Sequence, residues 1–226
     1  MPGNRSGATN QPRPYRSSVR AQAAADTRRT ILDTAMRLFV ERGYGQVTVA
    51  DIADGASVAL PTVYASTGGK AAILSTLIDE AMGDPVVEQT LNAMAASRSG
   101  EEVIELTAQG VRTDNERYHA IVQIMKTAAA VDATATQILV RSDDVYREAL
   151  GQVTRRLGSL GRLKAGVTEW QATDILWFYL GREAWHILVA DRRWSWDDAA
   201  QWLTQQVSAA LLDPPEPPTA DAPPRS

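Results

Sequence analysis

Residues 48–70 have the sequence TVADIADGASVALPTVYASTGGK, which begins with the signature of a helix start. Thr48 and Asp51 stand three positions apart, which is the spacing of a capping box. In this motif the hydroxyl accepts a hydrogen bond from the third backbone N–H of the helix, and the acidic side chain bonds back to the capping residue. The pattern therefore predicts a short helix over residues 49–55.

A second short helix follows after a turn of small residues. The turn runs through Ala56 and Ser57, and the next apolar pattern covers residues 59–65. Pro61 fits this pattern because proline is tolerated in the first turn of a helix, where an N–H has no partner to lose. Two short helices and a tight turn predict a helix-turn-helix. We expect the small core between them to consist of Ile52, Ala53, Val58 and Val63.

Longer helical patterns flank this pair on both sides. Residues 20–42 place apolar residues at every third or fourth position, and Gly43 supplies the left-handed conformation that ends a helix. A fourth helix is predicted over 70–82 and stops before Pro85. The apolar stripe of the first helix consists of Ile31, Leu32, Ala35, Leu38 and Phe39.

The remaining chain is predicted to be helical, because its apolar residues also recur at spacings of three and four. Three more capping boxes mark helix starts, namely Ser99 with Glu102, Thr168 with Gln171, and Ser195 with Asp198. We expect helices over 85–97, 100–114, 116–131, 134–158, 169–190 and 196–212. We expect disordered tails over 1–17, which is basic, and over 214–226, which is rich in proline.

The composition excludes several classes of protein. No cysteine is present, which removes disulfides, thiolate zinc sites and cysteine nucleophiles. No apolar stretch reaches the roughly 20 residues of a membrane helix, and the N-terminus lacks the apolar segment of a signal peptide. We therefore expect a soluble, cytoplasmic protein without a membrane partner.

Charge is distributed unevenly along the chain. Residues 1–70 contain nine Lys or Arg and five Asp or Glu, which gives +4, although the whole chain carries −4. A surface that binds a polyanion therefore belongs in the first third of the chain. The alternative is that the early arginines only solubilise a disordered tail.

Residues 27–82 resemble the DNA-binding domain of the TetR family of transcriptional regulators. The matching features are a first helix ending in LFVERGY, the Thr-Val-x-x-Ile-Ala segment at Thr48–Ala53, the run Thr62-Val63-Tyr64, and Lys70 followed by an apolar helix. The order and spacing of these four helices make the resemblance specific.

The resemblance implies an all-α fold with two parts. Residues 18–83 would form a three-helix helix-turn-helix DNA-binding domain, and residues 84–213 a helical ligand-binding and dimerisation domain. The implied function is that of a sequence-specific DNA-binding transcriptional regulator, a ligand-released repressor that acts as a homodimer on a palindromic operator in double-stranded DNA. Its effector would be a small apolar or aromatic molecule.

The resemblance also implies which residues meet DNA. Thr62 and Tyr64 match recognition-helix positions, and Lys70 matches a lysine that meets the backbone, although Tyr64 could instead pack half-buried on the fourth helix. Arg16, Arg20 and Arg29 are further candidates for phosphate contact. The predicted DNA-binding residues are Thr48, Ala59, Leu60, Pro61, Thr62, Tyr64, Lys70 and Arg28.

Several positions depart from the usual family pattern. Ala59 stands where serine often begins the recognition helix, and Pro61 where glycine or another small residue is usual. The run Ala65-Ser66-Thr67 stands where Arg or Asn, then His or Tyr, then Phe are frequent, so several usual hydrogen-bond donors to phosphate are missing. Residues 59–65 contain no charged side chain, so base reading by an arginine within this helix is excluded. The alternative function is therefore a helical protein-interaction module with a degenerate helix-turn-helix that no longer binds DNA.

The C-terminal part carries two further sets of candidates. We expect a dimer interface on the last two helices, formed by Trp170, Leu180, Trp185, Leu188, Trp202, Leu203 and Val207, although tryptophans also fill monomer cores. We expect a ligand pocket lined by Tyr118, His119, Met125, Tyr146, Trp177 and Tyr179, although such residues are more often plain core.

The sequence offers little for an enzyme. It contains no phosphate-binding glycine loop, no zinc-ligand spacing and no nucleophile motif, and it has only two histidines. We predict no catalytic residues, no metal site and no cofactor.

Overall fold

The computed structural model describes residues 14–213, which are helical apart from short connections and one isolated bridge between Leu163 and Leu212. A 3₁₀ turn over Tyr44–Gln46 follows the first helix, and a π-helical segment over His186–Asp191 continues the ninth. The α-helices of the described residues are α1 (Pro14–Arg42), α2 (Val49–Gly55), α3 (Leu60–Thr67), α4 (Lys70–Met82), α5 (Pro85–Ala96), α6 (Gly100–Ala129), α7 (Ala133–Ser159), α8 (Glu169–Leu180), α9 (Arg182–Trp185) and α10 (Trp196–Leu211). The predicted all-α class is confirmed.

The chain divides into two compact units between Leu74 and Ser75, inside α4. The sequence placed this boundary at the end of the same helix, after residue 83. Residues 1–13 and 214–226, which contain most of the two predicted tails, lie outside the described residues, whereas α1 already begins at Pro14.

The first unit is built on the apolar stripe of α1. All five predicted stripe residues are buried, and they pack with core residues of α2 and α3. Gly43 ends α1 with a φ of 81°, a conformation that favours glycine. A Cβ on Gly55 would lie 2.9 Å from the Thr34 methyl group, so this glycine allows α2 to lie close to α1.

The second unit has its own core, centred on α6, α7, α8 and α10, which contact one another. Leu157, Leu176 and Trp185 are among its fully buried side chains. Within the described part of the chain, no helix is long and apolar enough to cross a membrane.

Two predicted helices of this unit differ from the structure. The predicted break near residue 115 is wrong, because α6 is one continuous helix. At the predicted break, the polar side chain of Asn115 is satisfied within the helix, since its Nδ2 donates to the Val111 carbonyl at 2.9 Å. Conversely, the predicted helix 169–190 is interrupted at Gly181, whose backbone is extended.

The predicted helix starts are confirmed at all four capping residues, since each hydroxyl accepts a bond from the third backbone N–H. Both halves of the capping box are present at Thr48 and at Thr168. At Ser99 the carboxylate of Glu102 turns instead to the hydroxyl of Ser97.

Candidate nucleic-acid interface and cavities of the helical unit

The turn between α2 and α3 is held by backbone hydrogen bonds. Ser57 adopts a left-handed φ of 56°, and its N–H donates to the Asp54 carbonyl at 3.1 Å. The N–H of Val58 donates to the Ala53 carbonyl at 3.0 Å. Together these bonds form a Schellman-type helix end, which fixes the direction in which α3 leaves α2.

Helix α3 buries one side and exposes the other. Val63 is fully buried, whereas Leu60 is 41% exposed and Tyr64 is 55% exposed. The predicted inward positions Ile52 and Ala53 are buried as well, and Val58 is half-buried. The exposed residues at the start of the helix are Ala59, Leu60, Pro61, Thr62, Tyr64 and Ala65. The segment thus presents an uncharged helical turn that is narrow enough for a major groove.

The end of α3 is anchored to α1 by an arginine. Arg28 Nη1 donates to the carbonyl of Ser66 at 2.5 Å. Ser66 lies in the last turn of α3, where carbonyl groups lack partners within the helix. Arg28, which the sequence suggested for DNA contact, therefore holds the end of α3 in place.

Lys70 has a similar second role. Its Nζ donates to the Tyr44 carbonyl at 2.9 Å and lies 4.3 Å from the centre of the Tyr44 ring. This contact ties the start of α4 to the 3₁₀ turn after α1. The ammonium group therefore already has partners within the unit. These contacts weaken the attraction that it could exert on a phosphate.

The start of α2 is a polar surface next to α3. Thr48 is exposed, and its hydroxyl and backbone N–H both donate to Asp51 Oδ2, at 2.5 Å and 2.8 Å. These hydrogen bonds lower the pKa of the Asp51 carboxyl, and Arg42 adds a weaker effect in the same direction. Thr48 is thus held in its exposed position by the cap of α2.

The remaining arginine candidates differ in their exposure and in their ion pairs. Arg20 is exposed on α1. Arg29 is paired with Asp33 at 3.4 Å, and the side chain of Arg16 lies outside the described part of the chain. Among these three, Arg20 is therefore the described, exposed cation that forms no ion pair with another described residue.

Two cavities lie side by side in the second unit. The first is bounded by α4, α6, α7 and α9, and its empty space, including the part open to solvent, is about 330 Å³. The second is bounded by α5, α6 and α7 and holds about 430 Å³ by the same measure. In this conformation the enclosed part of each cavity has room for only a few water molecules.

The two cavities share one wall residue, Asp114 of α6. This side chain is mostly buried, and among the described residues its carboxylate has no hydrogen-bond donor. Burial raises the pKa of the Asp114 carboxyl to about 6, and the positive charge of Arg182 offsets only part of this effect. The sequence analysis missed this residue, although a carboxylate on an apolar stripe with Val111, Tyr118 and Ile121 was the available signal.

The predicted pocket residues are divided among several places. Tyr118 and Met125 line the first cavity, and Tyr146 lines the second. Trp177 lines a third cavity, which shares Val122 and Arg182 with the first, and it packs against Tyr146 at 5.7 Å. His119 and Tyr179 line neither of the two cavities nor the cavity at Trp177. His119 stacks instead on His186 at 5.5 Å, and Tyr179 contacts Phe178 at 5.1 Å.

Burial within the monomer argues against four of the seven predicted dimer residues. Four of them have no free surface, because the monomer core encloses them completely or almost so, namely Leu180, Trp185, Leu203 and Val207. Leu188 is half-buried, and only Trp170 and Trp202 are exposed. The structure adds exposed apolar residues that the sequence analysis did not select, namely Phe178, Ile187 and Trp194. Helical spacing alone could not distinguish the core side from the free side of these helices.

Known proteins share this architecture. Residues 31–77 match the family model described as bacterial regulatory proteins, tetR family. No curated protein matches the chain. Among solved structures, NalD, the secondary repressor of the MexAB-OprM multidrug efflux pump in Pseudomonas aeruginosa, is 22% identical; the match covers 84% of this chain and 98% of that chain, with a TM-score of 0.68.

Two further solved structures match with bound ligands. FadR from Bacillus subtilis in complex with stearoyl-CoA is 19% identical over 80% of this chain and 97% of that chain, with a TM-score of 0.67. The complex of SmeT with triclosan is 19% identical over 83% of this chain and 92% of that chain, with a TM-score of 0.68. These likenesses show a shared fold.

Proposed function

We propose that this chain, whose N-terminal helix-turn-helix belongs to the tetR family of bacterial regulatory proteins, represses transcription as a homodimer that releases a palindromic operator when a small molecule binds. Its fold is that of DNA-binding transcriptional regulators. The observation that carries the proposal is the exposed, uncharged turn from Leu60 to Tyr64, held in place by the buried Val63.

The roles of the exposed residues follow from their chemistry. Thr62 offers a hydroxyl and a methyl group, which suit a base edge or the methyl group of thymine. Tyr64 offers a hydroxyl for a phosphate, and Leu60 offers apolar contact with the groove wall. Because α3 has no charge, sequence preference rests on these contacts, on bridging water and on DNA shape.

Arginine and lysine outside α3 supply part of the affinity. Arg20 is exposed on α1, in the first third of the chain, which carries the positive charge. Arg28 and Lys70 contribute mainly by holding α3 and the start of α4 in place, since both side chains donate to backbone carbonyls. Affinity for duplex DNA should therefore depend on salt through few phosphate contacts.

Dimerisation supplies the second half of the recognition surface. Palindromic half-sites lie about 34–36 Å apart, so two copies of α3 must be held at that spacing. The exposed aromatic side chains Trp170 and Phe178 on α8 and Trp202 on α10 support an interface on these two helices, which pack against each other. Exposed aromatic residues on neighbouring helices are typical of protein interfaces.

The effector would bind in the cavities of the second unit. Both cavities are small in this conformation, so a larger ligand must select a state in which α5, α6 and α7 stand further apart. The ligands of the matched structures, stearoyl-CoA and triclosan, support a largely apolar effector. Linkage then requires that effector and operator weaken each other's binding by the same factor.

Binding of the full chain to the DNA that flanks its own gene tests the proposal. Footprinting should protect a palindrome, and fluorescence anisotropy should show that affinity falls as salt rises. Tyr64→Phe should weaken binding to all duplexes by a few-fold, whereas Thr62→Ala should change which sequences are preferred. Tyr179→Phe in the second unit is the matched control and should bind as the unchanged protein does.

A protein-interaction module without DNA binding would give a different result. It would bind no duplex at any salt concentration, and the Tyr64 variant would behave like the Tyr179 variant. That outcome would overturn the proposed function.

Sedimentation velocity tests the dimer separately. Phe178→Lys places a charge on the exposed part of α8 and should shift the protein towards monomer. Val131→Lys is the matched control, because Val131 is also an exposed apolar residue but lies between α6 and α7. If both variants remain as dimeric as the unchanged protein, the interface is not on α8.

A further inference from the structure

We propose that the effector is an organic cation, with an apolar body in the cavity between α5, α6 and α7 and a protonated amine at Asp114. This inference rests on the proposed function, since it names the class of molecule that the second unit senses. It is carried by the place of Asp114 between the two cavities and by the hydrogen bonds of the groups around it.

The other polar side chains that line the two cavities already have hydrogen-bond partners. In the first cavity the Tyr118 hydroxyl donates to Asp84 at 2.5 Å, and the Ser142 hydroxyl accepts from Arg182 at 2.9 Å. The polar groups of the second cavity also bond to backbone carbonyls, since Thr90 donates to Val86, Thr107 to Val103 and Tyr146 to Leu180. Two groups remain unmatched: Nε of Arg182, and the Asp114 carboxylate, which only accepts hydrogen bonds when ionised.

The positive charges near Asp114 are bound to other carboxylates. Arg117 pairs with Asp84 at 2.5 Å, and Arg182 pairs with Asp143 at 2.8 Å. Three carboxylates therefore face two guanidinium groups, and the charge of Asp114 is the one left over. A mostly buried charge without a partner is unfavourable, and a cation that carries N–H donors is the group that relieves it best.

Arg182 offers a competing site for an anionic ligand, but its geometry does not favour one. Two of its nitrogen atoms bind Asp143 and Ser142. The remaining nitrogen, Nε, is closed off from solvent and has no partner among the described residues. An anion would have to displace Asp143 from Arg182 and would also meet the negative charge of Asp114.

The second cavity sets the chemistry of the ligand body. Apart from Asp114 and the polar groups already described, its wall is aliphatic and comes from three helices. The aliphatic residues are Val87, Leu91, Val111, Ala149, Leu150 and Val153. Such a wall fits an alkyl or aryl group, whose burial is favourable in proportion to its apolar area.

Three probes of similar shape and different charge test the inference. Calorimetric titration of the full-length protein with 4-phenylbutylamine, 4-phenylbutanol and 4-phenylbutyrate should show the tightest binding for the amine and the weakest for the carboxylate. Asp114→Asn should weaken the amine at least about tenfold, which is the loss expected for a charged hydrogen bond, and should leave the alcohol within about twofold.

Two further variants separate charge from shape. Ala149→Leu fills the aliphatic cavity and should weaken the amine and the alcohol alike. Glu105→Gln is the matched control, because Glu105 is an exposed acidic residue of the same helix and lines neither cavity. It should change the affinity of none of the three probes.

The outcomes distinguish this inference from the proposed function. The inference is overturned if no probe binds, if the carboxylate binds best, or if the Asp114 variant keeps its affinity for the amine, even when the protein binds its operator. Absence of duplex binding would overturn the proposed function, whereas amine binding at Asp114 would still stand. Release of the operator by the amine, lost in the Asp114 variant, would support both.

Discussion

The surface of α3 and the cavity wall at Asp114 differ in whether their polar groups have hydrogen-bond partners. In the helix-turn-helix, Arg28 and Lys70 donate to backbone carbonyls, and the Thr48 cap is bonded to Asp51. In the second unit, Asp114 is mostly buried and accepts no hydrogen bond from the described residues. The polar groups of the first region are therefore satisfied within the chain, whereas the carboxylate in the second region lacks a hydrogen-bond donor.

The strongest test of this difference is the pH dependence of Asp114→Asn. The pKa of Asp114 is raised from 3.8 to about 6 in the folded protein, so its penalty is absent at low pH, where the group is protonated in both states. The penalty grows as pH rises from 4 towards 7 and reaches about 2 to 3 kcal/mol, since one pKa unit corresponds to about 1.36 kcal/mol. The variant should therefore be more stable than the unchanged protein at pH 8 and equal to it near pH 4.

Tryptophan fluorescence during urea unfolding measures this effect, because all six tryptophans lie in the second unit. Asp144→Asn on α7 is a suitable control, since that carboxylate is exposed. Equal stability of the Asp114 variant and the unchanged protein at every pH would mean that the carboxylate has a partner in solution.

A matched pair of substitutions on α3 tests the first region. Val63→Ala removes a fully buried side chain and should lower the free energy of unfolding of the first unit by about 2 kcal/mol. Leu60→Ala removes a side chain that is 41% exposed and should change stability by less than about 0.5 kcal/mol while weakening operator binding. Hydrogen exchange of the α2 and α3 amides measures stability, and anisotropy measures binding.

A smaller effect is expected at the cap of α2. Thr48→Ala removes the hydroxyl that accepts from the Asp51 N–H at 3.1 Å, which should cost about 1 kcal/mol. Thr48→Ser keeps the hydroxyl and should restore most of the loss. Faster hydrogen exchange in α2 for the alanine variant only is the expected result, and equal exchange in both variants would show that the box contributes nothing.

The smallest predicted effect is a gain at the start of α3. Ala59 is the N-cap of this helix and makes no side-chain hydrogen bond there. Ala59→Ser should add a cap worth about 0.5 to 1 kcal/mol and slow hydrogen exchange in α3. Ala65→Ser, further along the same exposed face, should give no such gain.

The helix-turn-helix could be predicted from the sequence because its determinants are local. The capping pair Thr48 and Asp51, the turn at Ser57 and the position of Pro61 all act within a few residues. These features fixed α2 at its correct bounds and placed Val63 inward, as the structure confirms.

The second unit was predicted less well because its features depend on distant contacts. Periodicity marks one apolar side of α8 and α10, but it cannot tell whether that side meets the same chain or another copy. Leu180 and Leu203 were therefore assigned to an interface although the core encloses them. In the first unit, distant contacts had the same effect. The sequence did not reveal that Arg28 and Lys70 hold α3 and the start of α4 in place, because their acceptors on Ser66 and Tyr44 lie far away in sequence.

The unbroken course of α6 has a mechanical consequence. Asp114 lies near the middle of this 30-residue helix, which is about 45 Å long at 1.5 Å per residue. Because no break absorbs motion, a ligand that tilts α6 at this pivot by about 3° displaces each end by roughly 1 Å, given a lever arm of about 22 Å. A small tilt of α6 at Asp114 would thereby move both ends of the longest helix in the described part of the chain.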